Sequence, residues 1–280
     1  MKGRVVLVTG ATSGIGLVTA RELARMGARV IIASRSAARC AQTAQQIAQA
    51  TGNSEVLAMP TDLSSLRAVR ALAERVRAEV GQLDVLVNNA GAIFGERKIS
   101  ADGFEMTWAL NHLSYFLLTN LLLDLLSASP EGRVVNVSSD AHFAVRRADF
   151  SDINFERRRY GGFAAYCLSK LANVMFTYEL ARRLQGSTVT ANALHPGAVA
   201  TNFGRNNPGV LGLVFRLFTC FALSPEQGAQ TSIYLASSPA VAGVSGQYFD
   251  RCKPKRSSPI SYDQSAQRQL WALSAAQVGL

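Results

Sequence analysis

Tyr166 and Lys170 are the side chains whose types and spacing best suit acid/base chemistry. They stand four residues apart in a stretch that predicts a helix, so both leave the same helix face about one turn apart. The ordinary pKa of tyrosine is about 10, and a neighbouring ammonium favours the phenolate and is expected to lower it. The pair could then exchange a proton with a substrate oxygen. The same spacing also occurs on plain solvated helices, so the pair alone does not establish a site.

A glycine-rich turn near the start of the chain predicts a phosphate-binding loop. The apolar run 4–9 predicts a strand buried on both faces of a parallel sheet, and a helical pattern follows over 17–26. Backbone N–H groups and a helix N-terminus in such a turn can hold the pyrophosphate of a dinucleotide, although a glycine-rich turn without a ligand is the alternative. The turn contains Gly10, Thr12, Ser13, Gly14, Ile15 and Gly16.

Arg35 follows the second predicted strand, 29–33, where a dinucleotide site places the residue that reads the ribose. The acidic residue that would accept hydrogen bonds from a ribose 2′-hydroxyl is absent there. Arg35 can instead pair with a 2′-phosphate, so the sequence favours NADP(H) over NAD(H). The alternative is that Arg35 only begins a solvated helix.

The third and fourth predicted strands also end in candidate binding residues. Asp62 and Leu63 follow the strand 55–59 at the carboxyl edge of the sheet, where open α/β folds bind ligands. An aspartate that caps a turn is equally expected at this position. After the strand 84–87 comes a small polar turn that lets a ligand approach the backbone. It contains Asn89, Ala90 and Gly91.

The regular alternation of strands and helices predicts an α/β fold. We expect one Rossmann-type doubly wound parallel sheet of about seven strands, flanked by helices on both faces. The whole chain, 1–280, is predicted as a single domain with a C-terminal extension over about 251–280. Further helices are predicted over 37–50, 64–80 with Ser64 as N-cap, 103–126, and around Tyr166 to about 184, with strands over 133–139, 188–193 and 246–250.

Composition is typical of a globular protein with a large core, at 48% hydrophobic and 17% charged residues. The four cysteines form no CxxC pair, and His112, His142 and His195 are scattered, so neither disulfides nor a metal site are expected. Strand-like sequence from residue 4 leaves no room for a signal peptide, and no run of ~20 apolar residues could span a bilayer. A soluble protein of a reducing compartment, the cytoplasm, is therefore expected.

The net charge of +10 allows several anionic partners. No nucleic-acid-binding motif accompanies the charge, so we expect no nucleic acid partner. Solvated surface is the plainest interpretation, with transient contact to an anionic membrane surface as the alternative. The basic clusters are Arg146-Arg147, Arg157-Arg158-Arg159, Arg182-Arg183 and Lys253-Pro254-Lys255-Arg256.

Taken together, these motifs resemble the short-chain dehydrogenase/reductase family over nearly the whole chain. The resemblance rests on Thr9-Gly10-x-x-x-Gly14-x-Gly16, Asn88-Asn89-Ala90-Gly91, Ser139 and Tyr166-x-x-x-Lys170, in this order. The segments 166–173, 195–201 and 224–229 are similar to the branch of retinol dehydrogenases and protochlorophyllide reductases.

This resemblance implies hydride transfer between NADP(H) and a carbonyl/alcohol pair. Tyr166 would exchange the proton, Lys170 would lower its pKa and hold the nicotinamide ribose, and Ser139 would bind the substrate oxygen. Asn111 would hold a water in a proton relay to Lys170. Ser138 is expected to be structural. The loop that holds the nicotinamide carboxamide would contain Pro196, Gly197, Val199 and Thr201.

Two alternatives remain at this point. A non-catalytic NADP-sensing or scaffold protein could use the same fold, although it would have no need of all four catalytic residues. A light-dependent reductase of a large tetrapyrrole is the second, which the related branch suggests. The sequence leaves the oligomeric state open between a homodimer and a homotetramer, among other states.

An apolar segment over about 202–223 occupies the position of the family's substrate lid. Within 211–221 it carries seven large apolar side chains and a single charged residue, Arg216. Such a lid, together with the insertion 140–165 near the site, predicts a hydrophobic small-molecule carbonyl or alcohol as substrate. A plain core segment is the alternative.

Overall fold

One sheet organises the part of the chain that the computed structural model describes, residues 1–199 and 223–280. The strands are β1 Val5–Thr9, β2 Arg29–Ala33, β3 Val56–Ala58, β4 Val85–Asn88, β5 Arg133–Val137, β6 Thr190–His195, β7 Tyr248–Asp250 and β8 Lys253–Pro254. Their order is β3-β2-β1-β4-β5-β6-β7-β8. Every pair is parallel except β7 and β8.

The predicted doubly wound sheet is confirmed, and its order reverses between β1 and β4. Strand β1 pairs with β2 on one side and β4 on the other, so connections leave in opposite directions from this point. Ligands of open α/β sheets bind beside such a reversal. The prediction of about seven strands missed β8, because two residues that include a proline carry no strand periodicity. These residues were expected to lie in a basic loop.

Helices cover both faces of the sheet. They are α1 Gly14–Arg25, α2 Ala37–Thr51, α3 Leu66–Glu79, α4 Met106–Trp108, α5 Ser114–Leu121, α6 Leu123–Ala128, α7 Gly162–Arg183, α8 Pro225–Ser237 and α9 Gln264–Val278. A π-helical turn spans Ala109–Leu113, and 3₁₀ turns span Asp140–Ala144, Pro239–Val241 and Pro259–Tyr262. Within the described ranges, no helix is both long and apolar enough to cross a bilayer.

Three predicted helix boundaries are wrong. Helix α1 begins at Gly14, so the last glycines of the turn already belong to its first turn. Ser65 caps α3 by accepting a hydrogen bond from the Ala68 N–H, whereas Ser64 donates its hydroxyl to Asp62. The predicted helix 103–126 begins only at Met106, where the Glu105 side chain is the N-cap and accepts a hydrogen bond from the Trp108 N–H. It is interrupted by the π-helical turn and again before α6.

Alternating strand residues supply the two cores. Leu7 belongs to the cluster under α3, α5 and α7, whereas its neighbours Val6 and Val8 belong to the cluster under α1 and α8. This follows from the period of two along a strand, which sends successive side chains to opposite faces. A sheet covered on both faces explains why its central strands read as continuous apolar runs.

A chain of buried amide and hydroxyl groups joins the central strands to helices on one face. The Asn88 side chain donates to the Asn136 side chain at 2.9 Å and to the Thr119 hydroxyl of α5 at 3.0 Å. Asn136 in turn donates to the Thr177 hydroxyl of α7 at 2.9 Å. Because buried polar groups need partners, these bonds hold α5 and α7 in one register over β4 and β5.

Candidate active site

A cleft of about 770 Å³ opens at the carboxyl ends of the strands around the reversal. It brings together almost all the residues that the sequence suggested for cofactor and substrate. Those that line it are Gly10, Thr12, Ser13, Gly14, Ile15, Gly16, Arg35, Asp62, Leu63, Asn89, Ala90, Gly91, Ser139, Tyr166, Lys170, Pro196, Gly197 and Val199. Thr201 lies outside the described residues, as does the predicted lid up to residue 222.

The glycine-rich turn has a conformation and a packing that require glycine. Gly10 and Gly14 have φ angles of 67° and 56°, in the left-handed region that favours glycine. A Cβ on Gly10 would lie 2.8 Å from the Ala90 Cα, and one on Gly16 would collide with the Asn89 amide nitrogen. Glycine at these two positions therefore lets the turn pack directly against the turn after β4 at the edge of the cleft.

Thr9 ties this turn to the turn after β4. Its hydroxyl accepts hydrogen bonds from the backbone N–H groups of Asn89 and Ala90, at 2.9 and 3.0 Å. The Asn89 side chain donates back to the Thr9 carbonyl at 2.8 Å. The two turns that line the middle of the cleft are thus held at one spacing.

Two guanidinium groups flank the end of the cleft beyond β2. Arg35 and Arg39 are exposed, line the cleft, and have no carboxylate partner among the described residues. Arg39 was not predicted; it lies in the first turn of α2, whereas Arg35 precedes the N-cap Ser36. The Thr12 and Ser34 hydroxyls lie 2.9 Å apart beside them. A phosphate group fits this arrangement of cations and hydroxyls.

Asp62 both lines the cleft and caps a turn. It lines the cleft, and its Oδ1 accepts hydrogen bonds from the Ser64 N–H and hydroxyl at 3.1 and 2.7 Å. The bonds within this turn hold the carboxylate at the carboxyl edge of β3.

Lys170 reaches across from α7 to the end of β5. Its Nζ donates to the Val137 carbonyl at 2.9 Å and lies 5.6 Å from the centre of the Tyr166 ring. Burial lowers the pKa of Lys170 to about 7, because the low-dielectric surroundings disfavour the ammonium.

The expected lowering of the tyrosine pKa is wrong for this site. Burial raises the pKa of Tyr166 to about 12, while a hydrogen bond with the Ser139 side chain opposes that rise. Desolvation of the phenolate therefore outweighs the electrostatic help that helical spacing alone suggested. Tyr166 is a neutral phenol at physiological pH.

Ser139 is oriented by the turn that it begins. Its hydroxyl accepts a hydrogen bond from the Ala141 N–H at 3.2 Å, as N-cap of the 3₁₀ turn. Ser138, expected to be structural, donates its buried hydroxyl to the Lys170 carbonyl at 2.7 Å. Both serines line the cleft, and Ser138 in addition joins β5 to α7.

Asn111 lies behind the cleft wall, in the π-helical turn. Its Oδ1 accepts from the Ala92 N–H at 2.9 Å, and its Nδ2 donates to the Ala92 carbonyl and to the Ser169 hydroxyl. It is fully buried beside Gly91, where an added Cβ would lie 3.3 Å from Asn111 Oδ1 and 3.6 Å from Lys170 Nζ. Asn111 thus supports the cleft wall next to Lys170.

Comparison with known proteins identifies the family. The family model described as short chain dehydrogenase matches residues 4–152 and 153–208. Human retinol dehydrogenase 13 is 48% identical over 284 residues, covering 99% of this chain and 85% of the relative. The chain belongs to the short-chain dehydrogenase family.

Within this family the chain is retinol dehydrogenase-like, and it is an oxidoreductase acting on CH–OH groups. A solved structure of an uncharacterised protein from Mycobacterium paratuberculosis has 36% identity and a TM-score of 0.80, covering 99% of this chain and 94% of that one. The Pseudomonas aeruginosa RhlG structure, an active-site complex with NADP, has 29% identity and a TM-score of 0.71, covering 93% and 97%. The cleft of this short-chain dehydrogenase therefore suits a nicotinamide cofactor.

Sequence reasoning missed the part of the cleft farthest from the basic end. Ile93, Phe94, Met106 and Leu110 line it with apolar surface, and Lys98 lies at its edge, 5.9 Å from the centre of the Phe94 ring. These side chains come from the long connection after β4 and from the broken helix. No motif marks them, because their position depends on how that connection folds back.

The rim near the predicted lid is partly described. Gly197 has a φ of 86°, and Leu223 donates its N–H to the Ala198 carbonyl at 2.7 Å and pairs with Val199. Leu223 therefore lies beside the loop 196–199, whose residues line the cleft and are predicted to hold the nicotinamide.

Among the described residues, no cluster of three His, Cys, Asp or Glu side chains could hold a metal ion.

Several basic residues are neutralised within the molecule. Arg182 and Arg183 both pair with the buried Glu179, and Lys255 pairs with Asp140 and Asp250. These members of two basic clusters are thus held in ion pairs within the molecule.

The buried lysine gives a test of the site's electrostatics. The pKa of Lys170 is about 7 when folded and ordinary, at 10.5, when unfolded. Between these values the unfolded chain holds the extra proton, so the lysine's contribution to stability rises with pH, by up to ~1.4 kcal/mol per pH unit. The urea-unfolding free energy of Lys170→Met minus that of the wild type should therefore be largest at pH 7 and should become smaller towards pH 10. The exposed Lys2→Met variant is the control, and parallel pH curves for Lys170→Met and wild type would contradict the buried-ammonium assignment.

Proposed function

We propose that this protein is an NADP(H)-dependent oxidoreductase that interconverts a hydrophobic carbonyl compound and its alcohol, with Tyr166 exchanging the proton. The observation that carries the proposal is the meeting of Tyr166, Ser139 and Lys170 on one wall of a cleft whose far end is basic and whose near end is apolar. The cofactor, when bound, supplies or accepts the hydride. The names of the retinol dehydrogenase relatives support the same class of reaction.

Tyr166 is in the protonation state that carbonyl reduction needs. Because burial raises its pKa to about 12, the phenol keeps its proton until a more basic alkoxide-like oxygen develops beside it. The Ser139 hydroxyl, which bonds Tyr166, donates to the same oxygen as charge builds there. Lys170, when protonated, stabilises the phenolate left after the transfer.

Lys170 and Asn111 serve the proton path behind Tyr166. Lys170 Nζ has one bond to the Val137 carbonyl, which leaves two donors for a ribose hydroxyl and a water. Asn111 uses both amide protons within the protein and so holds the wall, while its Oδ1, which accepts one bond from the Ala92 N–H, keeps a second lone pair for a water next to Lys170. The proposed relay thus runs from Tyr166 through Lys170 towards Asn111.

The basic end of the cleft selects the 2′-phosphate of NADP(H). Arg35 and Arg39 offer two guanidinium groups with no internal carboxylate partner in the described chain, and no acidic residue stands where a 2′-hydroxyl would be read. Solved structures of the same fold hold NADP or NADH, so they support a nicotinamide cofactor, and the choice of NADP(H) rests on the two guanidinium groups.

The apolar end of the cleft favours a hydrophobic substrate such as a retinal-like or lipid aldehyde or ketone. The apolar lining there consists of Ile93, Phe94, Met106 and Leu110. Burying ~200 Å² of a hydrocarbon substrate against it contributes roughly 5 kcal/mol of binding free energy before association costs, whereas a sugar-like substrate would bind it with little gain. The predicted apolar lid over 202–223, of which Leu223 is described beside Val199, would add to this surface.

The first prediction concerns cofactor choice. Arg35→Ala removes charge-assisted hydrogen bonds to the 2′-phosphate, so the Kd for NADPH should rise ~10-fold or more, while that for NADH should stay within about twofold. Fluorescence titration with both nucleotides measures the split. The exposed Arg75→Ala, whose partner is Glu79 on α3, is the matched control. Equal weakening of both nucleotides, or of neither, would rule out this role.

The second prediction concerns the proton donor. Tyr166→Phe removes the hydroxyl with little change of volume, so turnover should fall ~10²-fold or more while NADPH still binds. Tyr178→Phe on the same helix, which loses a bond to the Ser257 hydroxyl, is the control and should retain turnover. Near-normal turnover of Tyr166→Phe at neutral pH would exclude Tyr166 as the acid.

The third prediction concerns the substrate. In a homologous series of alkanals, kcat/KM should climb by up to ~4-fold per CH₂ until the apolar end of the cleft is filled. ω-Hydroxyalkanals of equal length are the matched comparison, since their terminal hydroxyl loses water on entering an apolar site. A flat series, or equal values for both sets, would mean that the apolar residues do not contact substrate.

A further inference from the structure

The tautomer of His142 is determined by its two hydrogen bonds. Its Nε2 lies 3.0 Å from the backbone nitrogen of Ser258, which can only donate. Nε2 therefore carries the lone pair, and the proton is on Nδ1. Nδ1 lies 2.6 Å from the carbonyl oxygen of Ser139 and donates to it. The neutral imidazole thus bridges the serine at the active site to a backbone N–H 116 residues further along the chain.

The Ser139 carbonyl belongs to the turn that aims the Ser139 hydroxyl. The same carbonyl accepts the His142 N–H at 3.1 Å, and the hydroxyl accepts from the Ala141 N–H. Any shift of this turn would move the hydroxyl relative to Tyr166. The turn lies at the end of β5, where the chain enters the long insertion 140–161, so strand pairing no longer restrains it.

The surroundings of His142 keep its ring neutral and in place. The side chain is fully buried, and burial lowers its pKa. Asp140 favours the charged form, while Lys255 and His195 oppose it, and Lys255 is itself paired with Asp140 and Asp250. The imidazole also packs edge-on against Tyr248, with ring centres 4.9 Å apart.

We propose that His142 is a positioning residue for Ser139, through which the C-terminal segment 253–258 reaches the active site. The backbone of Ser258 holds the imidazole, and the imidazole holds the turn that aims the serine hydroxyl at the substrate oxygen. Lys255 supports the same turn, since its Nζ donates to Asp140 at 2.7 Å. The effect on turnover rests on the proposed function, whereas the bridge itself does not.

Ser258 allows the bridge to be cut from the C-terminal side, without substituting the histidine. Its φ of −59° already matches that of proline, and Pro259 follows as the first residue of the 3₁₀ turn. Ser258→Pro therefore removes the N–H donor with little change of φ, and its Cδ, which takes the place of the amide hydrogen 3.0 Å from His142 Nε2, displaces the imidazole from the bridge. Ser258→Ala keeps the N–H and removes only a buried hydroxyl that has no partner among the described residues, which makes it the matched control.

The kinetic test compares these variants with His142→Asn, whose amide can still reach the Ser139 carbonyl but not the Ser258 N–H. We expect kcat for a medium-chain alkanal to fall about tenfold or more in Ser258→Pro and in His142→Asn, with the Kd of NADPH within about twofold of wild type. Ser258→Ala should keep wild-type kcat. The double variant Ser258→Pro/His142→Asn should be no slower than the slower single variant, because both remove the same bond. Unchanged kcat in both single variants, or fully multiplicative losses, would overturn the proposal.

A second measurement is made on the wild-type protein and does not depend on turnover. In protein with ¹⁵N-labelled histidine, His142 should show the Nδ1–H tautomer at neutral pH, its signals being assigned by their loss in His142→Asn. An Nε2–H tautomer or an imidazolium would overturn the bridge. If the wild type reduced no carbonyl compound while the Nδ1–H tautomer was present, the proposed function would fail and the bridge would stand.

Discussion

Two hydrogen bonds between Lys170 and the end of β5 hold the catalytic wall together. Lys170 Nζ donates to the Val137 carbonyl, and the Ser138 hydroxyl donates to the Lys170 carbonyl. Helix α7 and strand β5 are thereby joined close to the Tyr166 side chain on the helix and to Ser139, which follows the strand. Both bonds are buried, so breaking either would leave an unpaired polar group away from water. The relative position of phenol and serine hydroxyl depends on this pair of contacts.

The burial that makes these bonds strong also sets the acid/base character of the site. The same dry surroundings lower the pKa of Lys170 and raise that of Tyr166. A spacing of four residues shows that a cation and a phenol are neighbours, but the balance between attraction and desolvation depends on residues far away in sequence. For this reason the direction of the tyrosine shift could not be predicted from the sequence, whereas the identity of the pair could.

The sequence predicted what is local or repeated. Strand and helix alternation follows from apolar periodicity, and the turns at Gly10 and Asn89 carry their own signals. What it missed depends on long-range contacts. Strand β8 exists because it pairs with β7, and the helix around Asn111 is interrupted where its side chain bonds Ala92. The serine that caps α3 was misplaced by one residue, a normal error when Ser64 and Ser65 are adjacent.

The histidines show how much of a site can lie beyond a motif. In sequence, three scattered imidazoles predict no metal and suggest nothing more. In the fold, His112 bonds Asn173, which donates to the Asn111 carbonyl, and on its other side it contacts the Ser274 hydroxyl of α9. His142 makes the corresponding link from the Ser139 carbonyl to Ser258. Because an imidazole can accept on one nitrogen while it donates on the other, each ring joins the C-terminal region to the backbone of a candidate catalytic residue. The segment that follows β8 is therefore part of the framework of the site, although it contributes no side chain among those known to line the cleft.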